Sequence, residues 1–270
     1  MQRDFRVMAR GIPASTTMSL LTFASLGWAQ MPDVRKSADN LQQLQEVSAK
    51  FEIELVTSEL GFPIKTIHGM IEGKEAERVV LEKYQKLFAA ELNRYPPSLV
   101  RNAKLKRITL CAELSFDGQR RNAIPDFEHD VLYLDVERGD YNSQYQRKVI
   151  HHEFFHMIDY KDDGSVYADA AWSGLNAAAF RYGNGGRNAQ DNSDTSVLTD
   201  RFPGFLNHYS TTGVEEDKAE MFANMMVVPQ YVELRAADDP IIKSKAQAMK
   251  SLIQKFCPEI EEGFWKKAST

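Results

Sequence analysis

Ile150-His151-His152-Glu153-Phe154-Phe155-His156 is the stretch from which the rest of this chain can be read. On a helix, two histidines four apart project from one side and can clasp one metal ion. The residue between them, Glu153, then stands beside that ion as a general base for a bound water. The spacing suits hydrolysis, because zinc lowers the pKa of the water and the carboxylate takes its proton. Ser143 with Gln146 reads as a capping box and Lys161-Asp162-Asp163-Gly164 as a stop, which predicts one helix over residues 144–160. Tyr145, Val149, His152, His156 and Asp159 fall on one side of it. Ile150, Phe154, Phe155, Met157 and Ile158 cover most of the remainder, so its second half is expected to be buried nearly all round. Two buried histidines need partners, since unpaired polar groups there are costly. Backbone carbonyls could satisfy a pair of core histidines, but that reading gives Glu153 no task.

A catalytic zinc takes three protein ligands and keeps one position open. Thr212 and Glu215 form a second capping box, opening a predicted helix that runs to about Val227, ahead of Pro229. On its wheel Glu216 and Glu220 share a sector with Ala219, Ala223 and Val227. Two carboxylates among small apolar residues suggest a buried task. Glu216 would be the third ligand, and Glu220, one turn on, would accept a hydrogen bond from a ligand histidine's free N–H. Acidic residues in a first turn also complement the helix dipole, which accounts for Glu215 and Asp217 better than for Glu220. The alternative third ligand is Asp162, at the end of the extended pattern His-Glu-x-x-His-x-x-Gly-x-x-His/Asp. Asp159 stands where that pattern has its glycine, so the sharp turn is not encoded. Asp159 itself lies on the metal-facing side and reads as a hydrogen-bonding partner there.

A helical His-Glu-x-x-His followed, from His156 to Glu216, by Glu-x-x-x-Glu resembles the gluzincin arrangement of thermolysin. It is more similar still to the catalytic domain of anthrax lethal factor, in which a tyrosine precedes the ligand glutamate by the interval that separates Tyr209 from Glu216. Ile150–His156, Trp172-Ser173-Gly174-Leu175-Asn176 and Glu216-Asp217-Lys218-Ala219-Glu220 also resemble a family of bacterial zinc-binding metallopeptidases. The likeness spans residues 105–228. It implies a zinc-dependent peptidase with one zinc ion per chain, acting on a peptide or protein substrate. It also implies that Tyr209 donates a hydrogen bond to the oxyanion of the tetrahedral intermediate, with His208 as the other candidate. The fold implied is zincin-like: α+β, a small mixed sheet, an active-site helix and a mainly helical C-terminal lobe. A different class stays open, a non-catalytic protein whose fold zinc staples. Structural zinc, however, is four-coordinate with Cys or His, and has no use for a base at Glu153.

The remainder of the sequence fits that frame. Residues 38–58 and 74–94 read as helices, Lys106–Glu113 and Val131–Val136 as strands, and residues 230–257 as helix again. Asp117-Gly118 and Asn122–His129 read as turn-rich, and Gly183–Ser196 as a long surface loop. In zincin-like folds the strand before the active-site helix lies at the sheet edge and can pair with an extended substrate, a place Val131–Val136 is expected to fill. With 43% hydrophobic residues the chain has ample core, and residues 30–270 are expected to form one domain. A net charge of −5 with no basic cluster argues against nucleic acid. Arg3, Arg6 and Arg10 precede the mostly apolar or small stretch Met18–Trp28, so residues 1–29 read as a signal peptide for export, the alternative being a tail on a cytoplasmic protein. No later stretch is apolar enough to span a bilayer. Cys111 and Cys257 could form one disulfide if the chain is exported and are buried thiols if it is not. His151 points away from the metal face and is expected to be structural, and His68 and His129 have no metal-like spacing.

Overall fold

In the computed structural model, which describes residues 41–183, 185 and 195–268, every strand precedes residue 136 and every later element is helical. The expected signal peptide lies outside the described residues, as does most of the 183–196 loop. Helix α1 (Gln42–Phe51) turns Leu44, Val47 and Phe51 inward and ends at Glu52, whose φ of 56° is left-handed. The helix predicted over 38–58 is therefore cut short. Ile53 and Val56 are β-branched, and the segment pairs as strand β1 (Glu54–Val56). Strands β2 (Ile64–Lys65) and β3 (Met70–Lys74) follow, then helix α2 (Arg78–Leu92), inside the predicted 74–94. Helix α3 (Pro97–Asn102) opens on Pro97, whose missing N–H costs nothing at that position. Then come β4 (Arg107–Phe116), β5 (Gln119–Arg120), β6 (Ala123–Asp126) and β7 (Val131–Asp135). The helices beyond are α4 (Ser143–Asp163), α5 (Ala170–Ser173), α6 (Val214–Val227), α7 (Pro229–Asp238), α8 (Pro240–Phe256) and α9 (Glu262–Ala268), with a 3-10 turn at Tyr209–Thr211. The class is α+β with a small mixed sheet.

The sheet order is β2-β3-β4-β7-β6, with β1 and β5 also paired to β4. Strand β4 is central, and its alternating side chains feed two cores. Ile108, Leu110 and Ala112 join the main core with the helices, while Cys111 packs on the other face with Ile71, Val131 and Tyr133. At Glu113 (φ 54°) the pairing with β3 slips, and Leu114 then falls on the Cys111 face. That bulge resets the strand's parity. Strand β7 runs parallel to β4 and antiparallel to β6, so it is interior, and the expectation that Val131–Val136 lies at the edge is wrong. The edge on that side is β6, hidden within the turn-rich stretch Asn122–His129. Pro125, which cannot donate to a ladder, is tolerated in a strand with only one neighbour.

Helix α4 runs three residues past its predicted end and stops at Gly164, whose φ of 77° suits glycine. Its cap is Asn142, which accepts from the Tyr145 N–H at 3.1 Å, rather than the predicted Ser143–Gln146 box. Gln146 instead donates to the Val136 carbonyl, tying α4 to the end of β7. The Thr212–Glu215 box is not formed either, since Gly213 is the cap and the Thr212 hydroxyl donates to the Tyr209 carbonyl. The helix predicted at 230–257 is two helices. Pro240 keeps Asp239 extended, and Asp239 then caps α8 by accepting from the Ile241 and Ile242 N–H groups. Cys111 and Cys257 are both free and buried, in different cores, so the disulfide is not formed.

Candidate metal centre

Every residue of α6 from Val214 to Val227 is buried, although the helix carries Glu215, Glu216, Asp217, Lys218 and Glu220. Buried charges persist only with partners, and α6 finds them on three sides. Lys218 forms an ion pair with Asp159 of α4 and another with Asp169 at 2.9 Å. Asp217 meets Lys245 of α8 at 2.7 Å and accepts from Trp172 Nε1 at 2.8 Å and the Tyr182 hydroxyl at 2.6 Å. The dipole reading of Asp217 is therefore too weak, since this residue anchors two neighbouring segments. The Phe155 ring of α4 packs at a tilt against that of Phe222 of α6, with centroids 5.2 Å apart, and this pair of helices carries the candidate site.

Glu216 and Glu220 face His152 from opposite ends of its ring. His152 Nε2 lies 3.0 Å from Glu216 Oε2, and His152 Nδ1 lies 3.1 Å from Glu220 Oε1. His156 Nε2 stands 3.1 Å from His152 Nε2 and 3.7 Å from Glu216 Oε2. One atom from each of His152, His156 and Glu216 lies within 4.8 Å of the others. A tetrahedral centre with bonds of about 2.0–2.1 Å spaces its ligand atoms roughly 3.3 Å apart, which these separations bracket. Two facing imidazole nitrogens and a carboxylate form a nest of acceptors that needs a proton or a cation at its middle. Burial alone would make His152 less basic, but Glu216 and Glu220 outweigh it and hold His152 well above the ordinary imidazole range. For Glu216, too, burial opposes ionisation, and the two histidines overcome it, keeping its carboxyl far below the usual range. The donor set fits a divalent cation bound by two neutral imidazoles and one carboxylate, with Glu220 fixing the His152 tautomer.

Glu153 lies on the same helix and lines a cleft of about 820 Å³ together with His152, Tyr209 and Glu220. Burial raises its pKa, and Glu216 adds to that, while His152 and His156 pull the other way. The Tyr209 hydroxyl donates to Glu216 Oε1 at 2.9 Å, and its ring centroid is 5.9 Å from that of His152. His208 is exposed and stacks on Phe202, outside the cleft lining. Asp159 stands on the metal-facing side but pairs with Lys218, and no hydrogen bond joins it to a candidate ligand. Its Oδ2 and His156 Nδ1 are buried without partners among the described residues. Asp162 pairs with Lys255 and is not among the converging donors. His151 is structural as expected, sharing its Nδ1 with the Tyr95 hydroxyl and its Nε2 with Glu91 at 2.7 Å. Sequence reasoning missed Lys148, Asn207 and Asn224. The two asparagines donate to Glu220 Oε2 at 2.6 and 3.1 Å, and Lys148 lies 3.5 Å from it. Burial opposes the Glu220 charge, yet Lys148, His152 and Asn207 together bring its pKa down to about 2. Lys148 was legible in principle, being one turn ahead of His152 on its face. Asn207 carried no signal.

No family model and no curated protein matches the chain. A solved structure does, that of a "putative zinc-binding metallo-peptidase" from Bacteroides caccae ATCC 43185. The two superpose with a TM-score of 0.56 at 18% identity, over 88% of this chain and 92% of the other. The chain thus shares a metallopeptidase-like fold. Among the described residues no helix is long and apolar enough to cross a membrane.

Proposed function

We propose that this protein is a zinc-dependent peptidase of the gluzincin arrangement, with His152, His156 and Glu216 as ligands and Glu153 as the general base. The single observation that carries the reading is the convergence of two histidines and a glutamate from α4 and α6, with His152 of that group lining one cleft beside Glu153. The shared fold with a zinc-binding metallopeptidase agrees with it. A zinc ion held there would supply Lewis acidity and acidify its water. The chain's own residues do the rest. Glu153 takes the proton of the attacking water and returns it to the leaving amine nitrogen. Tyr209 would swing its hydroxyl from Glu216 to the carbonyl oxygen as charge develops there. Glu220, pinned by Asn207 and Asn224, keeps the His152 ring in register. An extended substrate has β6 available as its pairing edge, with Asn122 and Ala123 lining the cleft.

The test is zinc content together with hydrolysis of a mixed peptide library. The wild type should hold about one zinc and cleave. Glu153→Gln should keep the zinc and lose at least about 1,000-fold in rate, because the base acts on water and not on the metal. Cleavage by Glu153→Gln at the wild-type rate would refute the assignment.

A further inference from the structure

We propose that Arg138 and Lys148 form a carboxylate-binding subsite on one flank of the cleft, so that the favoured substrate presents an acidic group within about two residues of the bond cleaved. The carboxylate could be an Asp or Glu side chain or the peptide's own C-terminus. The inference rests on the peptidase reading and specifies its substrate class.

Both cations line the cleft. The Lys148 side chain is only 8% exposed, yet its ammonium makes no hydrogen bond among the described residues. Its nearest carboxylate oxygen, Glu220 Oε2 at 3.5 Å, is already engaged by Asn207 and Asn224. Beyond that ion pair, the ammonium opens onto the cleft, where its three donors are open to an entering acceptor. Arg138 is half-buried, and its guanidinium has neither a hydrogen bond nor an ion pair among the described residues. Only its backbone is engaged, the N–H donating to Asp135 Oδ1 at 3.0 Å. Its neighbour Gly139 packs so closely on the Tyr145 ring that a Cβ there would meet the ring at 2.6 Å. That contact holds Arg138 beside the first turn of α4, on the face that continues through Lys148 to His152.

Charge and distance agree. The carboxylates lining the cleft among the described residues are Glu153 and Glu220, both members of the candidate centre. Lys148 precedes His152 by one helical turn, about 6 Å along the axis. An extended peptide advances roughly 3.3 Å per residue, so the subsite lies about two residues from the centre. A carboxylate there would receive charge-assisted hydrogen bonds from both cations.

The experiment scans acetylated, C-amidated alanine–phenylalanine hexapeptides carrying a single Glu, Gln or Lys. A second set has a free C-terminus and no acidic side chain. At one position near the cleaved bond kcat/KM should favour Glu over Gln by about 10–100-fold, or the free-acid set should show that advantage over its amides. Which set shows it identifies the source of the carboxylate. Arg138→Gln should shrink the preference about tenfold while the neutral peptides change little, and Arg138→Glu should shift it toward Lys. A flat scan in both sets overturns the proposal. Anisotropy of the same peptides on zinc-loaded Glu153→Gln protein separates this failure from that of the peptidase reading. Tighter binding of Glu than Gln peptides, weakening as salt rises from about 0.05 to 0.5 M, upholds the subsite even without turnover. Equal binding of both overturns it.

Discussion

Removing the Glu220 carboxylate should loosen the metal without touching a ligand. Its Oε1 takes the His152 Nδ1–H at 3.1 Å, while its Oε2 takes Asn207 at 2.6 Å and Asn224 at 3.1 Å. Loss of such an outer partner typically costs 10–100-fold in metal affinity, about 1.4–2.7 kcal/mol. Glu220→Ala also strands Lys148, whose charge is left beside a cavity. A broken buried pair costs roughly 3–5 kcal/mol, and less is expected here because Lys148 opens onto the cleft. Glu220→Gln should be no milder for zinc. An amide has a single acceptor oxygen, so it can serve His152 or the two asparagines but not both. Chelator competition measures the affinity, and thermal melts of the zinc-free protein measure the stability. Zinc affinity within twofold of wild type in both variants would refute this reasoning.

Three further outcomes are expected. Asp217→Asn leaves the fully buried Lys245 ammonium without its ion-pair partner and should cost about 3–5 kcal/mol in urea unfolding; a loss under about 1 kcal/mol would show that the pair is not structural. Tyr209→Phe keeps the ring but deletes the hydroxyl, so kcat should fall about 10–1,000-fold with KM and zinc little changed, whereas unchanged kcat would move the oxyanion donor elsewhere. Glu91, opposed by burial but held down to about 2 by His151, Arg94 and Arg147, stabilises the fold fully above its ordinary value of 4.5 and loses that contribution as pH falls toward 2. Glu91→Gln should therefore melt lower at pH 7 and lose less across that acid window, and parallel Tm-against-pH curves would contradict it.

The site was more legible than its frame, for a physical reason. His152, Glu153 and His156 share one helical period and Glu216 with Glu220 another, so spacing and the gluzincin resemblance together pointed to the side chains that the two helices bring near one another. The sheet offered no such local rule. Strand β6 contains Pro125 and Asp126 and pairs on one side only, so its composition reads as a turn. The placing of β7 between β4 and β6 is a matter of topology that no segment carries by itself. The caps failed by one residue each because Asn142 and Gly213 compete with Ser143 and Thr212 for the same position. Asp159 lies on the face that the periodicity indicates, but the buried Lys218 claims it, a pairing across two helices that only the packed structure reveals.

The central claim is that His152, His156 and Glu216 hold one zinc ion. Its most direct test is zinc per chain by atomic emission after dialysis, for wild type, His152→Ala, Glu216→Ala and Asp162→Ala. The account predicts about one zinc in wild type and Asp162→Ala, and nearly none in His152→Ala or Glu216→Ala. Full zinc in Glu216→Ala with an empty site in Asp162→Ala would contradict it.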